Sequence, residues 1–299
     1  MTESNLNGVW TALVTPFHED GSLDMEGFEK LVNTQINAKV DGVVVFGTTG
    51  ESPTLTVQEK LTLIKKTKAL VGDKIGIMAG AGGNNTAQTV ELSKLCVDAG
   101  ATSLLIVTPP YNKPGLNGLK AHYQAVTESV NIPVILYHVP GRTGAFLSDG
   151  VMLEVLKNPK IGAVKEASGD INYFTKVAMN TKTPLLSGDD FTYLPSLAAG
   201  GHGVISVVTN IFPEAFVQMT AFFKSGENAK ALKIHNALYE FTELLFKEPN
   251  PAPAKAALSI MGVSKNHLRL PLTAVTDENF EAISKSYVST QKALKDILG

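Results

Sequence analysis

Ile161-Gly162-Ala163-Val164-Lys165-Glu166 is a short apolar run that ends in an amine and a carboxylate, and Ser168-Gly169-Asp170 follows it. Four apolar or small residues, then a turn carrying helix-start residues, read as a buried strand delivered into a helix. In a parallel sheet wrapped by helices, ligands and chemistry collect at the carboxyl ends of the strands. Lys165 stands at such an end. Loss of water disfavours an ammonium and frees an amine able to attack a carbonyl carbon, which makes Lys165 a candidate Schiff-base nucleophile. The same residues suit a lysine that closes a strand, paired with Glu166 or reaching for water. The stretch alone leaves both readings open.

Working outward, the pattern around Lys165 recurs. Apolar, β-rich runs fall at Val9–Val14, Gly42–Phe46, Ile75–Ala79, Ser103–Val107, Val134–Tyr137, Ile161–Lys165, Pro184–Ser187 and Gly203–Val207. Each precedes an amphipathic segment: Asp24–Ala38, Thr56–Val71, Asn85–Ala99, Leu116–Ser129, Ser148–Leu156, Ile171–Met179, Phe191–Ala199 and Pro213–Lys224. The repeat is about 30 residues, the size of a βα unit. Without hairpin signals between the runs, the strands are parallel, and eight such units close into a (β/α)8 TIM barrel spanning 1–225. An open doubly wound sheet would want a Gly-x-Gly-x-x-Gly turn after the first run, and Pro16-Phe17-His18-Glu19-Asp20-Gly21 is not one. Beyond it, 226–299 shows no further strand. Asn228–Phe246, Ala254–Met261 and Asn279–Leu298 read as a small C-terminal α-helical domain, broken at Glu248-Pro249-Asn250-Pro251 and Arg269-Leu270-Pro271-Leu272.

Composition narrows the class of function. The 299 residues are 44% hydrophobic, enough for a substantial core. A net charge of −2 from 26 basic and 28 acidic residues, with no block of either sign, leaves no footprint for nucleic acid or an anionic membrane surface. The single cysteine, Cys96, rules out an intrachain disulfide, and its helical surroundings suit a buried inert thiol. His18, His122, His138, His202, His235 and His267 form no pair at metal-ligand spacing, so no metal is expected. Met1-Thr2-Glu3-Ser4-Asn5 carries no leader pattern and no apolar run reaches about 18 residues, so a cytoplasmic location is expected.

Four strand-end loops carry the remaining chemistry. Gly47-Thr48-Thr49-Gly50-Glu51-Ser52 combines two glycines, two hydroxyls and free backbone N–H groups, a cradle for a carboxylate or phosphate; it reads equally as a turn in which Ser52 or Thr56 caps the next helix. Thr108-Pro109-Pro110-Tyr111-Asn112-Lys113-Pro114 is stiffened by three prolines and presents Tyr111, either for proton transfer or simply as an exposed ring. Tyr137-His138-Val139-Pro140-Gly141-Arg142-Thr143 places a phenol at the strand end and a guanidinium on a Pro-Gly turn, suited to proton relay and to bidentate carboxylate binding. His138 faces away from Tyr137 and is expected to pack behind the barrel wall. In Ser187-Gly188-Asp189-Asp190, Asp190 is expected to cap the next helix and Asp189 to hold the loop or touch substrate.

Taken together, Gly47-Thr-Thr-Gly-Glu-Ser52, Tyr137-His-Val-Pro-Gly-Arg142, Val164-Lys165-Glu166, Ser187-Gly-Asp-Asp190 and Gly203-Val-Ile-Ser206 resemble the class I pyruvate aldolase superfamily, and within it the dihydrodipicolinate synthase family. The likeness extends through Phe246-Lys-Glu-Pro-Asn-Pro251 and Leu268-Arg-Leu-Pro271. It implies a lyase that condenses pyruvate with L-aspartate 4-semialdehyde in lysine and diaminopimelate biosynthesis, with no cofactor beyond a covalent imine. By the same resemblance Lys165 forms the imine, Thr48 and Thr49 hold the pyruvate carboxylate, and Tyr137 shuttles protons through Thr48 and through Tyr111 of a neighbouring subunit. Arg142 binds the semialdehyde carboxylate, while Gly188 and the Ile205 carbonyl line the pocket. A homo-oligomer, at least a dimer and in this family usually a tetramer, is implied as well.

Two departures matter. N-acetylneuraminate lyase-like members generally carry Ser at the position of Thr48 and lack the arginine at Arg142, so these two residues favour the synthase over a sugar-acid lyase. A non-catalytic pyruvate or lysine sensor would need the cradle but not Lys165. Members inhibited by lysine carry histidines, a glutamate and a tyrosine where this chain has Val57, Lys60, Gln88 and Pro110, although Ser52 and Asn84 remain. Lys60 would repel the ammonium groups of lysine, so weak or absent feedback is expected. His138 replaces the usual asparagine with no expected loss of catalysis.

Overall fold

The computed structural model describes residues 6–299; the N-terminal stretch behind the leader expectation lies outside the described residues. Eight strands close a parallel barrel in sequence order: β1 Gly8–Ala12, β2 Gly42–Val45, β3 Gly76–Gly80, β4 Ser103–Val107, β5 Val134–His138, β6 Ile161–Glu166, β7 Leu185–Ser187 and β8 Gly203–Ser206. The strands are short and apolar because helices cover one face and the lumen the other, so both need filling. The lumen is packed by Trp10, Val44, Met78, Leu105, Ile135, Ala163, Leu186 and Ile205. Trp10 explains two glycines: a Cβ at Gly42 or Gly76 would lie 2.2 or 2.3 Å from its indole ring.

The outer layer comprises α1 Met25–Asn37, α2 Val57–Val71, α3 Thr86–Ala99, α4 Leu116–Ser129, α5 Pro140–Thr143, α6 Asp149–Val155, α7 Ile171–Asn180, α8 Tyr193–Ala198 and α9 Pro213–Lys224. Side chains start them where the sequence carries capping residues. Thr56 and Glu59 form a reciprocal capping box on α2, Asn85 caps α3 and Asp170 caps α7. The Thr56 alternative thus holds, and Ser52 instead sits in a 3-10 turn, Ser52–Thr54. One helix was not expected: α5, a single turn started by Pro140 and stopped by Gly144 at φ 67°. It carries Arg142.

Three more helices follow: α10 Asn228–Phe246, α11 Ala252–Ile260 and α12 Asp277–Leu298. α10 packs on α9 and α12, and α11 on α12. Phe212 bridges to them, with ring centroids 5.1 Å from Phe241 and 5.6 Å from Tyr287. Among the described residues no helix is long and apolar enough to cross a membrane.

Candidate active site

Parallel register brings Tyr137 on β5 opposite Lys165 on β6. Both project into the lumen near its carboxyl end, and the Lys165 Nζ lies over the Tyr137 ring, 4.4 Å from its centroid. Lys165 is 6% exposed and, among the described residues, makes no ion pair. Glu166 does not neutralise it. Neighbours on a strand face opposite ways, and the Glu166 carboxylate turns to the helix layer, where His138 Nδ1 lies 3.1 Å from its Oε1. The plainer reading of Lys165, paired with Glu166 or snorkelling to water, is thereby excluded.

Gly188, just beyond β7, presses its backbone on the lysine stem. A Cβ there would lie 2.8 Å from Lys165 Cε, 2.9 Å from its Cγ and 2.6 Å from Ala167 Cβ. The bare backbone is what leaves the amine its position. Ile205 on β8 lies in the same lumen cluster as Tyr137.

A cavity of about 580 Å³ opens over this point, lined by Thr48, Tyr137 and Arg142 together with Ser52, Lys60 and Asn84. Tyr137 forms part of its wall, and Lys165 rests against that ring without lining the cavity itself. Among the described residues no carboxylate lines it. Arg142 makes no ion pair among the described residues, and neither does Lys60, whose amine burial holds below the ordinary lysine range. Unpaired cations over a hydroxyl-bearing turn make the cavity complementary to small carboxylates.

The Thr48–Thr49 turn is held from below. Thr49 is buried, and its Oγ1 accepts from Asn250 Nδ2 at 3.0 Å. Gly50 N–H donates to Gly47 O and Glu51 N–H to Thr48 O, both at 3.1 Å, while among the described residues no intrachain hydrogen bond occupies the Thr48 and Thr49 N–H groups. Glu51, at φ 54°, drives its carboxylate into a fully buried ion pair with Lys255 of α11. Lys255 also donates to His267 O at 2.8 Å, and the Arg269 N–H donates to Glu51 Oε2 at 3.1 Å. Burial pulls the Lys255 amine down to about 8 against the pull of Glu51. Phe17 lies between two cations, its centroid 4.1 Å from Lys255 Nζ and 4.4 Å from Arg269 Cζ. Sequence reasoning missed Asn250, Lys255 and Arg269 as supports of the cradle. The Pro-Asn-Pro and Arg-Leu-Pro stretches were visible, but nothing local said what they touched.

Tyr111 is not brought to the site within one chain. It stands 90% exposed at φ 69°, while its neighbour Pro110 lines the cavity.

At the end of β7 the expectation for Asp190 is corrected, while Asp189 holds the loop, the first of its two expected roles. Asp190 does not cap α8; it is buried, accepts from Ser206 Oγ and, at 3.1 Å, from Val207 N–H, and burial raises its carboxyl to about 6. Asp189 holds the turn ahead of α8, accepting from Phe191 N–H at 2.8 Å and Thr192 N–H at 3.1 Å, and no side chain caps the helix itself. The inward residue is the one that can reach β8, and the helix start shifts to Tyr193. Cys96 is buried, with a thiol pushed up to about 12 by desolvation, an unreactive group.

The model of the dihydrodipicolinate synthetase family matches residues 5–289. A 4-hydroxy-tetrahydrodipicolinate synthase of Thermosipho africanus is 43% identical over 284 residues, covering 93% of this chain and 97% of that protein. The solved 4-hydroxy-tetrahydrodipicolinate synthase of the methanotroph Methylacidiphilum fumariolicum SolV superposes with a TM-score of 0.94 at 34% identity, covering 98% of each chain. A solved structure described as a monomeric dihydrodipicolinate synthase variant gives 0.94 at 37% identity, covering 97% of this chain and 98% of that one.

Proposed function

The chain belongs to the dihydrodipicolinate synthetase family, and on that premise we propose that it is a 4-hydroxy-tetrahydrodipicolinate synthase, joining pyruvate to L-aspartate 4-semialdehyde through an imine on Lys165. The observation that carries this reading is the buried, unpaired Lys165 amine against the Tyr137 ring at the carboxyl end of the barrel.

Attack of Nζ on the keto carbon gives a carbinolamine, and loss of water gives the imine. The C=N bond withdraws electrons, so a methyl proton can leave and an enamine forms. Its carbon attacks the semialdehyde carbonyl, and closure by the substrate amine then displaces Lys165. Tyr137 carries the protons, relayed through Thr48 and through Tyr111 of a neighbouring subunit. The free N–H groups and hydroxyls of Thr48 and Thr49 receive the pyruvate carboxylate, while Arg142, at the cavity mouth, takes the semialdehyde carboxylate. Gly188 and the Ile205 carbonyl complete the pocket. The imine is itself the electron sink, so the scheme needs neither metal nor organic cofactor.

The assembly we propose is a cytoplasmic homo-oligomer, a dimer at least and a tetramer in its full form, because an exposed Tyr111 acts only from a neighbour. We place the division between catalytic barrel and helical domain at residue 225. A sugar-acid lyase is disfavoured by Thr48 with Arg142 and by the names of the relatives above.

Borohydride reduction in the presence of pyruvate tests the reading. The protein should gain one reduced pyruvate on the peptide containing Lys165, and Lys165→Ala should gain none; labelling that persists in the variant sinks the assignment. A coupled assay with pyruvate and the semialdehyde, run beside N-acetylneuraminate cleavage, tests the substrate.

A further inference from the structure

One buried polar cluster takes no part in the chemistry above: His138, Glu166 and the backbone of Leu147. The β5–β6 register runs one residue past Tyr137 and Lys165, pairing His138 with Glu166. Side chains alternate along strands, so this second pair lies on the outer face, behind the first. His138 is fully buried. Its Nε2 accepts a hydrogen bond from the Leu147 N–H at 3.1 Å, and a ring nitrogen that accepts a hydrogen bond carries no proton of its own. The network therefore assigns the proton to Nδ1, which donates to Glu166 Oε1 at 3.1 Å. The same oxygen accepts the Ser168 N–H at 2.8 Å. Phe146 and Tyr173 hold the ring, with centroids at 5.4 and 5.3 Å.

Three segments thus meet on one imidazole. They are the end of β5 that carries Tyr137, the end of β6 that carries Lys165, and the returning arm of loop 139–147, which carries Arg142 on α5. We infer that His138 is a positioning residue with two separable tasks: the Nδ1–H bond to Glu166 sets the strand ends so that phenol meets amine, and the Nε2 lone pair ties down the Arg142 loop for the second substrate's carboxylate. The inference rests on the roles given above to Lys165 and Arg142.

Asparagine and glutamine separate the tasks, because an asparagine amide reaches the position of Nδ1 and a glutamine amide that of Nε2. His138→Asn keeps the Glu166 contact and releases Leu147. It should raise KM for the semialdehyde on the order of tenfold while leaving the rate of borohydride trapping with pyruvate within about twofold of the unmodified enzyme. His138→Gln keeps Leu147 and releases Glu166. It should slow trapping on the order of tenfold with KM for the semialdehyde little changed, and His138→Phe should show both losses. If one amide variant fails to fold, the other must still show its own half of the split. Identical kinetic patterns for the two amides, or lowered thermal midpoints with unchanged kinetics in all three variants, overturn the inference and leave His138 a packing residue. Failure of the underlying chemistry would show separately, as pyruvate trapping that survives Lys165→Ala.

Discussion

Tyr137 and Lys165 are register partners on adjacent parallel strands, and the lysine amine rests 4.4 Å from the centre of the tyrosine ring. A phenol and an amine fixed by backbone pairing do not have to find one another, which is how a strand end contributes preorganisation. The ring face seats the Nζ atom beside the phenol, and among the described residues no carboxylate pairs with it.

Gly188 guards that contact. An alanine Cβ would crowd Lys165 and meet the immobile Ala167 Cβ at 2.6 Å. Gly188→Ala is expected to slow pyruvate trapping on the order of 100-fold by displacing the amine, at a stability cost of about 1–3 kcal/mol. Trapping kinetics beside a thermal midpoint check both, and trapping at the normal rate would remove Gly188 from the account.

Tyr111 makes a prediction about assembly. Lys165→Ala and Tyr111→Phe should each be nearly inactive alone. Mixed, dissociated and reassociated, they should regain roughly a quarter of normal activity, the statistical share of sites combining an intact lysine with a neighbour's phenol in a two-fold dimer. No recovery in mixed oligomers verified by mass spectrometry would place Tyr111 outside the chemistry.

The buried Glu51–Lys255 pair sets the stability of the cradle. Lys255→Met leaves the Glu51 carboxylate buried without its ion-pair partner, keeping only the Arg269 N–H, and should cost about 3–5 kcal/mol, read from denaturant unfolding. Asn250→Ala removes only the bond to Thr49 Oγ1, so it should cost about 1 kcal/mol and act mainly on KM for pyruvate. An unchanged KM in Asn250→Ala would separate the C-terminal segment from the site.

Acid should loosen a second clasp. The Arg269 guanidinium, aided by the Thr56 N–H, lowers the Glu59 carboxyl from 4.5 to about 2. A depressed carboxyl contributes stability that is complete above its unfolded value, so the contribution is present above about pH 4.5 and fades toward about pH 2. The difference in unfolding midpoint between the native chain and Glu59→Gln should shrink across that window. Because the pair is partly solvated, the effect is small. A difference constant from pH 6 to 3 would contradict it.

Lysine should inhibit poorly. Lys60 lines the cavity beside Ser52 and Asn84, where no carboxylate among the described residues receives an ammonium. Titration with lysine should give no half-inhibition at sub-millimolar concentration and no calorimetric binding isotherm in that range.

What the sequence determined by itself was the barrel and the order of its strand-end groups. Short β-rich runs alternating with amphipathic segments admit few parallel closures, and strand alternation alone sent His138 to the wall behind Tyr137. Local pattern also offered Thr56, beside Ser52, as a cap, because capping joins residues three apart; the structure chose Thr56. Contacts between distant residues had no such signal. The bond from Asn250 to Thr49 spans 201 positions and that from Arg269 to Glu51 spans 218, and nothing periodic links them. Only the closed barrel, with α11 folded under its second loop, decided that Glu51 faces Lys255. Only the approach of β7 to β8 decided that Asp190 turns inward and leaves α8 without a side-chain cap. Periodicity tells which face of an element is buried; what lies across from that face is set by how the elements close on each other.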